Sequence, residues 1–303
     1  MDQEGKNGAG KNGAGEDGTI TVRAASGEAA RTGSVVENPW RRLRRFTDAR
    51  IGLGRAGTSL PTREHLEFQL AHARARDAVH LPLDIDRLTA AMAKAPRIGE
   101  LGDPVRLRSA VADRSEYLRR PDLGERLDEA SKTALGTISA EGGIAIVIAD
   151  GLSSFAIQEN AVPFLSAFLD LWDREGLDLA IAPPVVVEQA RVAIGDAVGE
   201  ALKAKASIVL IGERPGLSSP DSLGIYFTWA PASGLTDSRR NCISNIRPAG
   251  LSFEEAARRT LYLLKEAAKI ETSGVKLKDR SVAPEIGSDE REQSFLTGGR
   301  SDE

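Results

Sequence analysis

An α/β fold, with a doubly wound and mostly parallel sheet preceded by a helical N-terminal region, is what this sequence predicts. Three observations carry that expectation. IAIVIA (Ile144 to Ala149), LAIAPPVVV (Leu179 to Val187) and ASIVLIG (Ala206 to Gly212) are continuous apolar runs of strand length. Runs of that kind suit strands buried on both faces. Helical stretches alternate with them at Ser154 to Glu175, Ile194 to Ala204 and Ser252 to Ile270, as expected of a parallel sheet wound by crossover helices. Before residue 137 the chain reads as helix instead.

The elements follow in order. Residues 1–37 are low in complexity, with KNGAG repeated at Lys6 to Gly10 and Lys11 to Gly15. Too few apolar residues lie there to offset the entropy of ordering, so a flexible tail is expected. In residues 38–136, Thr62 is placed to cap a helix in which Leu66, Leu70 and Ala73 recur at helical steps, with Pro82 as its stop. A second helix is expected from Arg87 to Ala95, stopped by Pro96, and a third after Pro121 through Leu127 and Ala130. Val105 to Tyr117 fits neither period. Residues 137–280 form the α/β domain, with GIYFTWA (Gly224 to Ala230) as a fourth strand. Pro163 suggests a break in its helix, and Pro183–Pro184 a bulge or an early strand end. Ser252 with Glu255 is a capping box. Residues 281–303 are polar, and a second flexible tail is expected.

Composition removes several function classes. The 303 residues carry a formal net charge of -4, from 40 basic and 44 acidic side chains, which is no footprint for nucleic acid. The lone cysteine, Cys242, excludes an intramolecular disulfide and suits a reducing cytoplasm. No apolar run reaches membrane-spanning length, and no secretory signal is visible. All three histidines, His65, His72 and His80, fall on or beside one helix in no recognised metal-ligand spacing. The α/β domain therefore holds no Ser-His or Cys-His pair, and a self-contained hydrolase is disfavoured.

GLGRAG (Gly52, Gly54, Gly57) matches the dinucleotide fingerprint letter for letter, but its context does not. That fingerprint needs a buried strand before it and a helix opening inside the glycines, whereas RRLRRFTDARI precedes it here. A tight loop approaching another surface is the better reading. Asp150, after IAIVIA, is read as the cap of the next helix, with Gly151 giving the turn.

The most informative segments are IGERPGLSSPDSLGIY (Ile211 to Tyr226) and NCISNIRPAG (Asn241 to Gly250), where apolar runs empty into loops rich in Gly, Pro, Ser and Asn. Ligands of open α/β sheets bind outside such strand ends, and neutral polar loops suit a large ligand rich in amides or hydroxyls. On residues alone, Glu213 reads either as a ligand contact or as a carboxylate paired with Arg214 or a helix N-terminus. Cys242 reads either as a contact or as a small buried hydrophobe.

With VIADGLSS (Val147 to Ser154), VVVEQARVAIGD (Val185 to Asp196), NPWRRLRRFTDARIGLGRAG (Asn38 to Gly57) and LPTREHLEFQLAHARARDAVH (Leu60 to His80), these segments resemble the small subunit of ethanolamine ammonia-lyase, over roughly Asn38 to Lys278. The resemblance implies a lyase that converts ethanolamine to acetaldehyde and ammonia in ethanolamine catabolism, using radical chemistry begun by cleavage of the cobalt–carbon bond of adenosylcobalamin. It implies a hetero-oligomer in which a large barrel subunit holds the substrate and this chain contributes no catalytic residue. It places cofactor contacts at Val192, through backbone or apolar surface, at Glu213, accepting from a corrin amide or a ribose, and at Cys242, close to the macrocycle. An Asp-x-His-x-x-Gly motif is absent, so the cobalamin is expected base-on, keeping its own dimethylbenzimidazole. The arginine-rich arm and glycine loop are read either as docking on the large subunit or as a solvated basic segment. The location implied is the bacterial cytoplasm, with an ethanolamine-utilisation microcompartment as a further destination. MDQEGKNGAGKNGAG lacks the helical periodicity with which microcompartment-targeted members often begin. The rival classes are a nucleotide-dependent enzyme built on GLGRAG and a scaffold subunit without cofactor contact.

Overall fold

The computed structural model describes residues 35–281 apart from 137, 139, 140, 176 and 178. The tails expected at residues 1–37 and 281–303 thus fall almost wholly outside the described residues.

Six strands form one sheet in the order β1-β3-β2-β4-β5-β6. They are β1 (Val105–Arg108), β2 (Ile144–Ala149), β3 (Val185–Glu188), β4 (Ala206–Gly212), β5 (Leu223–Trp229) and β6 (Arg240–Ile246). The first four are mutually parallel, while β5 runs antiparallel to both β4 and β6. Helices α1 (Thr62–His80), α2 (Ile85–Lys94), α3 (Pro96–Gly99), α4 (Arg114–Arg119), α5 (Pro121–Gly124) and α6 (Glu129–Leu135) precede β2. Then come α7 (Ser154–Glu175), α8 (Ile194–Ala201) and α9 (Phe253–Ile270). The mostly parallel α/β sheet expected from the apolar runs is present.

Strand side chains alternate between two cores, because successive residues of a strand point to opposite faces. Ile144, Ile146 and Ile148 pack with Leu210, Phe227 and the apolar stripes of α7 and α9. Ala145, Val147 and Ala149 pack with Val187, Val209 and with Ile194 and Val198 of α8. β2 and β4 are buried along their whole length, which explains their unbroken apolar sequences.

Several local expectations are corrected. β1 emerges from the ambiguous stretch 105–117: VRLR is an edge strand that buries only Leu107 fully, so it carries no continuous apolar signal. NCISNI is not a strand-end loop but most of β6, an irregular edge strand that buries only Arg240, Ile243 and Ile246. The helix expected after Pro121 is two short pieces, α5 and α6, with Leu127 bridging Ser109 between them. α7 runs unbroken through Pro163. That proline lies on the exposed side, where a missing hydrogen bond is tolerated by gentle bending, while Phe164, Phe168 and Trp172 anchor the opposite side. β3 begins after Pro184, so the prolines precede the strand rather than interrupt it. Thr62 is the first helical residue and caps nothing; Pro61 stands at the N-cap with no side-chain bond. At Ser252 the hydroxyl accepts from the Glu255 amide at 3.2 Å, but the Glu255 carboxylate turns to Arg258 and Arg259, so the capping box is half made.

The face of α1 that reads as apolar is not core. Leu66, Phe68 and Leu70 are exposed, as are Trp40 and Phe46 of the preceding arm, a 3-10 turn over Pro39–Arg45. Arg41 and Arg44 fasten this arm to the buried Glu64 of α1. GLGRAG folds back on the same arm: Val36 bridges Arg55, and a Cβ on Gly54 would lie 2.7 Å from the Val36 carbonyl oxygen. No strand feeds this loop among the described residues, which removes the dinucleotide reading.

Beneath β6, Arg240 is buried against Asp196 of α8 and also pairs with Asp237. Breaking such a pair strands a charge out of water. Asp196→Ala is expected to lower stability by about 3–5 kcal/mol in urea unfolding, with much of the loss recovered by the apolar double variant Asp196→Leu/Arg240→Met.

Candidate functional site

The parallel strands β2, β3 and β4 all end on one rim, and the loops leaving them build the site. After β2 the chain turns at Gly151, where φ is +60° and a Cβ would sit 2.3 Å from the Gly212 carbonyl oxygen. A Cβ on Gly212 would in turn lie 2.0 Å from the Ser153 carbonyl oxygen. The Leu152 amide donates to that Gly212 oxygen at 2.9 Å. The two strand-end loops are therefore interlocked backbone to backbone, and Glu213 is presented from a fixed point.

Asp150 does not cap α7. That helix is capped by Ser153, whose hydroxyl accepts from the Ala156 amide at 3.1 Å and donates to the Pro220 carbonyl at 2.7 Å. Asp150 is buried and turns toward β3, accepting from the amides of Gln189 and Ala190, each at 3.0 Å. Gln189 adopts φ +55°, which aims those amides inward as the strand ends. Arg114 pairs with the same carboxylate at 3.5 Å. A buried acid needs such donors more than a helix needs this cap.

The loop from Glu213 to Ser222 is held on all sides. Asn160 of α7 donates to the Asp221 carbonyl at 2.6 Å, Arg247 to the Ser218 carbonyl at 3.3 Å, and Arg50 to the Leu217 carbonyl at 3.4 Å. Glu213 itself accepts from the hydroxyls of Ser222 and Ser244, both at 2.5 Å, and from the Asn245 amide at 3.3 Å. Its partners are neutral donors, not Arg214 and not a helix N-terminus.

Val192 and Glu213 line one cavity of about 280 Å3, together with Tyr117, Arg191, Arg214 and Tyr226. Cys242 is not among the lining residues. It stands opposite Tyr226 across the β5–β6 pair and is exposed, so the reading as a buried small hydrophobe fails. Desolvation by the neighbouring sheet raises its thiol above the ordinary range, against the hydrogen bond from Tyr226. A thiol held neutral in this way is not an activated nucleophile. Beside it Ser244 is also exposed, so this face of β5–β6 is an open polar shelf continuing from the cavity.

Two residues of the cavity escaped the sequence reading. Tyr117 is fully buried, donates to the Ala190 carbonyl at 3.0 Å, and has the guanidinium carbons of Arg114 and Arg191 at 4.5 and 4.1 Å from its ring centroid. Arg191 donates to the Tyr117 carbonyl at 3.0 Å. Tyr117 belongs to no motif, and Arg191, although inside VVVEQARVAIGD, was not singled out; only the fold brings residue 117 beside residue 191.

The profile of the ethanolamine ammonia-lyase light chain family matches residues 37–278. The chain belongs to that family. It is 56% identical over 249 residues to the ethanolamine ammonia-lyase small subunit of Pseudomonas aeruginosa, covering 81% of this chain and 89% of that protein. To the small subunit of Azotobacter vinelandii it is 54% identical over 267 residues, 86% of this chain and 96% of the relative. The Pseudomonas syringae pathovar tomato small subunit is 52% identical over 257 residues, covering 84% and 87% of the two chains. The light-chain family thus spans both the arm with α1 and the sheet that carries the cavity.

Burial pushes the Asp150 carboxyl up to about 6 from its ordinary 3.8, while Arg114 and the amides of Ala190 and Gln189 pull it down. With the folded value above the unfolded one, the stabilising contribution is full below about pH 4 and is lost as pH rises to about 6. The stability of the wild type relative to Asp150→Asn, read from urea midpoints, is expected to fall across that window and to level off above it.

Proposed function

We propose that this chain is the cofactor-clamping small subunit of an adenosylcobalamin-dependent ethanolamine ammonia-lyase, which turns ethanolamine into acetaldehyde and ammonia. The observation that carries this reading is the meeting of Val192 and Glu213 at one cavity that opens onto the shelf bearing Cys242, in a chain of the light-chain family.

The residues present suit the cofactor. Its rim of neutral amides needs short hydrogen bonds from small polar groups, and Ser222, Ser244 and Asn245 already hold Glu213 ready as a charged acceptor. A cavity of about 280 Å3 is too small for the whole group, but the shelf beside it leaves room for a broad flat ligand covered by a second protein. The sequence's three histidines all lie on α1 and none lines the cavity, consistent with a cobalamin that keeps its own base.

When bound, adenosylcobalamin supplies the radical source for the reaction. This chain's residues bind and orient. Glu213 accepts from an amide or ribose donor, Val192 gives an apolar wall, and Cys242 with Tyr226 forms a surface on which the macrocycle rests. We assign no proton transfer and no catalytic residue to this chain. Substrate is held by the large subunit, with which the chain forms a hetero-oligomer. The exposed Trp40, Phe46, Leu66 and Leu70, beside the arginines of the arm, supply the aromatic and Arg-rich character of interface cores. Residues 38–136 are accordingly assigned to large-subunit docking and residues 137–280 to cofactor contact. No helix among the described residues is long and apolar enough to cross a membrane. The bacterial cytoplasm, with a microcompartment as a further destination, is the location that fits this role.

Spectral titration of cobalamin into the two-subunit complex tests the assignment. Glu213→Ala removes a charged acceptor, expected to weaken binding about tenfold to hundredfold. Cys242→Trp is expected to assemble normally and bind poorly, because the new side chain rises from the shelf. Unchanged affinity in both variants would leave the chain only a role in assembly.

A further inference from the structure

Arg191, which lines the cavity, carries a charge that no acidic side chain balances among the described residues. The Arg191 Nε is buried and has no hydrogen-bond partner, and no carboxylate pairs with Arg191 among the described residues. Its side chain is nonetheless held in place. Nη2 donates to the Tyr117 carbonyl at 3.0 Å, and the guanidinium lies 4.1 Å from the Tyr117 ring centroid. The Arg191 amide donates to the Gly124 carbonyl at 2.8 Å, and a Cβ on Gly124 would come within 2.8 Å of the Arg191 Cγ. The side chain is half-buried and fixed on one side, so its cationic fork is held at the cavity wall with no carboxylate to neutralise it.

The charges around the cavity say what that acceptor is. Arg214 is a second cation on the lining, exposed and without an ion pair among the described residues. The one acid on the lining, Glu213, sets a single negative charge against these two cations, and its hydrogen bonds come from Ser222, Ser244 and Asn245 rather than from either arginine. Asp150 is committed to Arg114 and two backbone amides. The cavity therefore keeps an uncompensated positive charge, and the guanidinium fork matches phosphate oxygens.

We propose that Arg191, with Arg214 at the rim, forms an anion subsite that takes the phosphodiester of the cofactor's nucleotide tail. This rests on the cobalamin-clamping reading above. Among the groups of a cobalamin, the side-chain amides are neutral and the phosphodiester is the anion, so the charge of the cavity selects it. Arg191 is a binding residue here, and Tyr117 positions it.

The test compares adenosylcobalamin with adenosylcobinamide, which lacks the nucleotide tail, on complexes of both subunits in the dark. Arg191→Gln is expected to weaken adenosylcobalamin about tenfold to hundredfold and adenosylcobinamide by less than about twofold on the same scale. Arg191→Lys keeps the charge but loses the fork, and falls between. Gel filtration of each variant complex confirms that it assembles. Equal losses on both corrinoids, or no loss on either, overturn the subsite. The phosphorus-31 resonance of bound adenosylcobalamin gives a reading that needs no analogue: it is expected to differ between wild-type and Arg191→Gln complexes, and an unchanged resonance overturns the proposal. A wild-type complex that binds neither corrinoid refutes the cobalamin reading itself, whereas tight wild-type binding with no Arg191 effect refutes the subsite alone.

Discussion

The interlock of the β2 and β4 loops is the constraint on which the rest of the site depends. Gly151 and Gly212 allow two backbones to touch where any Cβ would collide, and the Leu152 amide seals the contact. This closeness lets Ser153 both cap α7 and reach the Pro220 carbonyl. Pro220 lies near the end of the loop that Glu213 begins. Packing in the two flanking cores fixes the strands; the interlock converts that rigidity into a fixed position for one carboxylate. Sites held on rigid elements by supporting hydrogen bonds keep their geometry without a ligand, which lowers the cost of binding.

A second consequence comes from the change of strand direction. The parallel strands are wrapped by helices on both faces, as parallel sheets require. Once β5 and β6 turn antiparallel, one face no longer needs cover, and Tyr226, Cys242 and Ser244 lie along it. The cavity and this shelf meet at Tyr226. A small pocket lined by two cations beside a flat polar face suits a ligand with a projecting arm and a broad body, closed over by a partner. The polar cluster of Asp150, Arg114, Tyr117 and Arg191 adjoins the pocket and ties together residues far apart in sequence.

What could be read from the sequence follows from how each residue is buried. β2 and β4 are buried on both faces, so their apolar runs are legible one by one. β1 and β6 are edge strands: VRLR buries one residue fully and RNCISNI buries only every third, so neither carries the signal of a central strand. The apolar period of α1 is genuine, yet Leu66 and Leu70 face outward; periodicity reports an amphipathic helix without saying what covers it. Val192 and Glu213 stand where strand-end reasoning puts a ligand. Arg191 shares that loop with Val192, but Tyr117 could not be found that way, because its contact with Arg191 depends on β1 joining the sheet beside β3, and nothing in VRLR announces that pairing.

The most direct test of the account is reconstitution. The purified chain, a cognate ethanolamine ammonia-lyase large subunit and adenosylcobalamin are combined, and the alkylcobalamin band is followed as ethanolamine is added. The account predicts loss of that band on adding substrate, with acetaldehyde formed only when both chains are present. A stable complex of the two chains in which the large subunit alone binds cofactor and turns over equally well would contradict it.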